Sequence, residues 1–197
     1  RERAGARRVL DFALDASAQV TASAVQPHQD GSRFVLQSPW GAAEVTVPLP
    51  GRHQVGNALA AAAVALSAGA SLDDVVVGLA AAPGVPGRLQ TVTLGDGTVV
   101  LDDSYNANPG SVAAAIQTLV AQAHRSGAQA WVALGDMREL GPGAAVLHAE
   151  VGQRARDAGV ARLLTVGEMS RHAAHAFGPG GEHFVDQTAL IERLKAR

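Results

Sequence analysis

The spacing of apolar positions changes rhythm part-way along the chain. Residues 9–14, 19–26, 32–38 and 43–48 alternate apolar with polar or small residues, and "PHQDGS" and "SPWG" punctuate them. A period of two sends successive side chains to opposite faces, so these segments predict short antiparallel strands. "GRHQVGNALAAAAVALSAG" predicts a helix from near Val55 to about Ala68, stopped by Gly69. "SLDDVVVGLAAA" predicts a second helix with Ser71 as its N-cap, and "PGVPGR" ends it. "RLQTVTLGDGTVVLDD" predicts a hairpin turning at "GDG".

From Asn108 onward the rhythm is different. Predicted helices at 109–125, 143–158, 168–176 and 187–196 alternate with apolar strands at 130–135, 162–166 and 183–185. That order predicts an α/β region with a parallel sheet and crossover helices. The expected division is therefore residues 1–107, mixed β with helices, and 108–197, a Rossmann-like parallel-sheet domain.

Composition narrows the classes. Hydrophobic residues make up 47% of 197, which supports a packed core. The net charge of −2, without a basic run, argues against nucleic acid or an anionic membrane surface as partner. There is no cysteine, hence no disulfide framework or thiolate zinc site. No apolar run reaches the roughly 20 residues of a bilayer span, and no signal peptide is visible, so a cytoplasmic protein without membrane insertion is expected. The chain opens on Arg1, which suggests a piece of something longer. Lys195 is the only lysine and sits in "RLKAR", so the chain holds no Gly-Lys-Ser/Thr phosphate loop.

Chemistry concentrates at "LDDSYNANPGS", residues 101–111, where a strand hands over to a helix. Asn108 followed by Pro109 is a good helix start, and the N–H groups of that first turn favour an anion. Asp102 and Asp103 end a strand, where α/β proteins place ligand contacts, and a carboxylate there can accept ribose hydroxyls. The alternative is that the pair caps a turn. Arg88 of "PGR" offers a fork suited to phosphate, or else a surface ion pair. His53 and Asn57 stand four apart at a helix entrance, where Asn57 reads an adenine edge or caps the helix. Asp136 and Glu139 of "LGDMREL" mark another strand end, or a simple turn. His172 and His175 are spaced i, i+3 on a helix with His183 nearby, but spacing places no third metal ligand, and they read as solvated. "GPGAAV" lacks the full glycine fingerprint of a dinucleotide loop.

In order, "GRHQVGNALAAAAVAL", "PGRLQ", "VVLDDSYNANPGSVAAAIQTL", "ALGDMRELG", "HAEVG" and "LLTVGEMS" resemble the Mur ligase family from about residue 9 to the C-terminus. "DDSYNANP" and "GDMRELG" are specific to the branch that joins D-Ala-D-Ala to UDP-N-acetylmuramoyl-tripeptide in peptidoglycan synthesis. The resemblance implies the C-terminal part of a central ATPase domain followed by most of a Rossmann-like ligase domain. It implies ATP with Mg2+, phosphorylation of a substrate carboxylate, and attack by the dipeptide amine. It places His53 and Asn57 at the nucleotide, Arg88 at ATP phosphates or ribose, and Asp103, with Asp102 second, at the ribose hydroxyls. Tyr105, Asn106 and Asn108 fall at the interdomain junction, and Asp136, Glu139 and His148 face the cleft. No catalytic residue and no metal ligand is assigned within this segment. Gln54 stands where the family usually has Asn. The UDP-binding domain, the phosphate loop, the magnesium-binding glutamate and the carbamylated lysine are expected before Arg1. A further strand, a Lys-Gly-Ser motif and a helix are expected after Arg197. The segment alone is expected to be inactive, with self-association through its truncated sheet edge. The competing readings are a non-catalytic nucleotide- or dipeptide-binding module and another Mur-type ligase such as folylpolyglutamate synthase.

Overall fold

The computed structural model describes residues 9–28 and 30–196. The chain forms two compact units, residues 1–85 and 86–197. The change of rhythm suggested a division at 107/108; by contacts the hairpin that precedes it belongs with the C-terminal half. The reason lies at the hairpin's open end, where the Tyr105 N–H donates to the Gly87 carbonyl (3.0 Å) and the Leu89 N–H to the Asp103 carboxylate (3.1 Å). The hairpin is tied shut, and a short loop, residues 103–108, leads from it to the next helix.

In the first unit a four-stranded sheet has the order β1 (Phe12–Ala13), β2 (Val20–His28), β3 (Gly31–Ser38), β4 (Gly41–Val47). The β2–β3 and β3–β4 pairs are antiparallel as predicted, but β1 runs parallel to β2. The correction has a local cause. Asp11 accepts the Val20 N–H through its carbonyl (3.0 Å) and the Gln19 N–H through its carboxylate (2.9 Å), so the chain loops fully round before β2 begins. Helix α1 (Arg52–Ser67) starts almost a turn before the expected Val55. Helix α2 (Leu72–Ala80) starts as predicted on Ser71, in a capping box with Asp74. Val55, Leu59, Ala62 and Leu66 form one helical stripe, buried in a cluster with Phe34, Leu36, Val45 and Val47 from one sheet face.

In the second unit β5 (Gln90–Thr93) and β6 (Val99–Asp102) form the predicted antiparallel hairpin. Then follow α3 (Pro109–Ser126), β7 (Trp131–Leu134), α4 (Ala144–Asp157), β8 (Arg162–Val166), α5 (Arg171–Phe177), β9 (Gly181–Phe184) and α6 (Gln187–Lys195). The strands pair in parallel in the order β7-β8-β9. Leu163 and Leu164, adjacent on β8, are both fully buried, as in a central strand covered on both faces. One cluster joins Val112, Ile116 and Val120 of α3 to Leu134, Leu163, Val151 and Phe177. On Leu164's face, the Arg193 fork of α6 grips Glu182 of β9 at 2.8 and 2.9 Å and lies 5.3 Å from the Trp131 ring centroid. The carboxyl ends of β7, β8 and β9 share one side of the sheet, where such folds hold ligands. No helix among the described residues is long and apolar enough to cross a membrane.

Candidate functional site

The richest constellation lies where residues 87–89 meet residues 102–108. Gly87 (φ 71°) and Leu89 (φ 50°) both adopt left-handed backbone, with Arg88 between them. Such geometry costs a leucine free energy, so the surroundings must hold it. They do: Leu89 is buried and its N–H reaches Asp103 Oδ1. Asp102 Oδ1 accepts the Ser104 N–H at 3.0 Å in an Asx turn. Both carboxylates therefore have structural work, and each keeps a second oxygen to accept a hydroxyl.

Arg88 is exposed and makes no ion pair with a carboxylate among the described residues. Its guanidinium instead lies over the Tyr105 ring, 4.4 Å from the centroid. Tyr105 is 65% exposed, so this contact occurs in solvent rather than in the core.

The asparagines have other roles. Asn108 caps α3, its Oδ1 accepting the Gly110 N–H (3.0 Å) and the Ser111 N–H (2.9 Å). The first-turn N–H groups expected to favour an anion are therefore already satisfied by this side chain. Asn106 Oδ1 accepts the Ala107 N–H at 2.9 Å.

His53 and Asn57 belong to the first unit. Both lie inside α1, in its first and second turns. Gly51 is the N-cap, so Asn57 does not cap this helix. Its Nδ2 donates to Gln54 Oε1 at 3.0 Å, so the residue that departs from the family pattern is the one that orients Asn57.

At the carboxyl ends of the parallel strands, Asp136 Oδ1 accepts the N–H groups of Met169 (3.0 Å) and Ser170 (2.7 Å). It clasps the β7 loop to the turn before α5. Burial pushes its carboxyl up, but those donors outweigh burial and hold it below the ordinary aspartate value. Glu139 is exposed and has φ 61°, a strained backbone for a glutamate. His148 is fully buried, although it was expected to face a cleft. Its Nε2 accepts the Met137 N–H (2.9 Å) and its Nδ1 meets the Ala144 carbonyl (2.7 Å). That pattern requires the neutral Nδ1–H tautomer. His148 supports the Asp136–Leu140 loop from beneath.

Sequence reasoning missed Leu89, Met137 and the Met169–Ser170 turn. Gly167 carried a faint signal, because a Cβ there would collide with the Asp136 carboxylate. His183 Nδ1 pairs with the buried Thr165 hydroxyl at 2.9 Å. Among the described residues no three His, Asp or Glu side chains gather to hold a metal ion.

Residues 87–197 match the family model "Mur ligase, glutamate ligase domain", and residues 1–65 match "Mur ligase middle domain". The chain belongs to the Mur ligase family. Within it, the UDP-N-acetylmuramoyl-tripeptide–D-alanyl-D-alanine ligase of Escherichia coli K12 is 46% identical over 97% of this chain and 41% of its own length. The enzyme of the same name from Mycobacterium tuberculosis H37Rv is 41% identical over 94% of this chain and 39% of its own. The crystal structure of MurF from Acinetobacter baumannii superposes with a TM-score of 0.89 at 30% identity, covering 100% of this chain and 42% of that one. MurF from Thermotoga maritima, solved with ADP, shares the fold with a TM-score of 0.76 at 20% identity over 95% of this chain and 42% of that one. The chain thus spans about two-fifths of the Mur ligases it matches. The two family models accord with the two compact units, with the ligase domain beginning at Gly87, the residue whose carbonyl accepts the Tyr105 N–H.

Proposed function

We propose that this chain is the segment of an ATP-dependent amide ligase that adds D-Ala-D-Ala to UDP-N-acetylmuramoyl-tripeptide in the cytoplasm. The carrying observation is 46% identity, over 97% of the chain, to a ligase of that name. In that reaction a carboxylate oxygen of the tripeptide takes the γ-phosphoryl group of ATP, releasing ADP. The dipeptide amine then attacks the acyl carbon, the C–O bond to phosphate breaks, and the amine loses its proton. Phosphorylation is needed because a carboxylate is a poor electrophile, and phosphoryl transfer is served chiefly by positioning and charge neutralisation.

This segment's share is nucleotide positioning. Arg88 supplies a cation with edge donors, and Asp103 keeps one oxygen for a ribose hydroxyl while the other holds Leu89. His53 and Asn57 serve the nucleotide from α1, with Gln54 orienting Asn57. Magnesium belongs to the reaction, but the described residues form no group that would hold it. The only lysine, Lys195, lies outside any phosphate loop, so the segment alone is inactive. The outer side of β9 carries no strand among the described residues, and Val185 beside it is 91% exposed; self-association would use this edge.

The test uses the full-length ligase. Asp103→Asn keeps an acceptor for Leu89 while removing the charge, and Arg88→Ala removes the cation. Each lost charged hydrogen bond is worth about 1.5–3 kcal/mol, so the KM for ATP rises about tenfold or more while the KM for D-Ala-D-Ala stays. An unchanged KM for ATP in both variants refutes the nucleotide role.

A further inference from the structure

We propose that Tyr105 is a positioning residue for Arg88, holding its guanidinium ready for a nucleotide phosphate. The proposal rests on the nucleotide role of Arg88 and adds a residue to it.

Four observations carry it. First, the backbone on both sides of Arg88 is locked. The Gly87 carbonyl accepts the Tyr105 N–H at 3.0 Å, and the Leu89 N–H is held by Asp103. Gly87 is left-handed, and a Cβ on it would come within 2.9 Å of Tyr105 N, so no other residue fits there. Secondly, the guanidinium carbon lies over the Tyr105 ring, 4.4 Å from its centroid. The backbone tie and the side-chain stack thus join the same two segments. Thirdly, no carboxylate pairs with Arg88 among the described residues, so a bound phosphate displaces no ion pair. Fourthly, Tyr105 is 65% exposed, so its ring does little for the core.

The geometry of a guanidinium makes the arrangement useful. Stacking occupies its flat face and leaves its N–H donors free along the edge. A phosphate takes those edge donors, so the platform and the ligand do not compete. Arginine carries much rotamer freedom, and a side chain already parked near its bound position loses less of it on binding.

The experiment uses the full-length ligase and three variants, Tyr105→Leu, Tyr105→Phe and Arg88→Ala, with the Leu/Ala double. Calorimetry measures affinity for a non-hydrolysable ATP analogue, and steady-state kinetics separates KM from kcat. A stacking contact at an exposed site predicts about two- to fivefold weaker analogue binding in Tyr105→Leu. The KM for ATP rises by the same factor, the KM for D-Ala-D-Ala does not move, and Tyr105→Phe restores both because it keeps the ring face. The double variant binds no more weakly than Arg88→Ala, since Tyr105 acts through Arg88. Ring-current shifts of the Arg88 δ-methylene protons are present in the Phe variant and absent in the Leu variant. Thermal unfolding of Tyr105→Leu matches the parent, because the ring is largely in solvent.

Unaltered binding in Arg88→Ala overturns the nucleotide role itself. Weakened binding in Arg88→Ala with unaltered binding in Tyr105→Leu overturns only the positioning role. Additive losses in the double variant overturn it too, because Tyr105 would then touch the nucleotide directly. Tighter binding in Tyr105→Leu would show a competitor, not a platform.

Discussion

Replacing His148 by Phe removes one buried polar tie. The larger phenyl ring leaves no cavity, and its overpacking at this fully buried position adds to the cost of the lost tie. What is lost is the acceptor for the Met137 N–H, in a place where His148 is fully buried and Met137 is 3% exposed. The Ala144 carbonyl keeps the helix's own N–H partner four residues on and loses only its second donor. The orphaned buried donor alone costs about 1–3 kcal/mol, which sets the lower bound on the loss. The assay is urea unfolding followed by tryptophan emission. Trp40 lies in the first unit and Trp131 in the second, so a Trp40→Phe background makes the emission report the second unit alone. With an m-value near 2 kcal/mol/M, the midpoint should fall by at least roughly 0.5–1.5 M at unchanged slope. The Met137 amide, protected in the parent, should exchange faster. If the midpoint moves by less than about 0.1 M and the Met137 amide is unaltered, the tie is not what holds the loop.

Three further outcomes are expected. Gly152→Ala should destabilise the second unit by about 1–3 kcal/mol, read through Trp131, because the added methyl falls within 2.8 Å of the Ala173 carbonyl carbon; the Trp40 transition should not shift. Asn108→Ala should cost about 1 kcal/mol by removing the acceptor of two first-turn N–H groups, and an unchanged thermal midpoint would contradict that. The depressed carboxyl of Asp136 stabilises the fold above the unfolded-state value of about 3.9, and that contribution disappears as pH falls through its lower folded value. Asp136→Asn should therefore flatten the acid limb of the stability profile below about pH 4, and superimposable limbs would refute the assignment.

Features set by near neighbours were readable from the residues alone. The Ser71 cap joins residues three apart, and so does the Asn108 cap to Ser111. Helices α1 to α6, the β5–β6 hairpin and the parallel β7–β9 sheet follow from periodicity and from Gly and Pro punctuation, because those patterns encode which face is buried. Strand β1 did not follow: two residues carry no direction, and its parallel pairing depends on how Asp11 closes the loop to β2. The site divides along the same line. "DDSYNANP" announced a polar junction, yet which oxygen of Asp103 is engaged depends on Leu89, fourteen positions away. Asp136 meets Ser170 across thirty-four positions, and only the β7–β8 pairing brings them together. The resemblance placed His148 at the cleft, and it is the packing of α4 beneath the β7 loop that buries it and fixes its tautomer. Local rules act through backbone geometry over a turn or two. The roles of Arg88, Tyr105, Asp136 and His148 come from contacts that exist only after distant segments have been packed against one another.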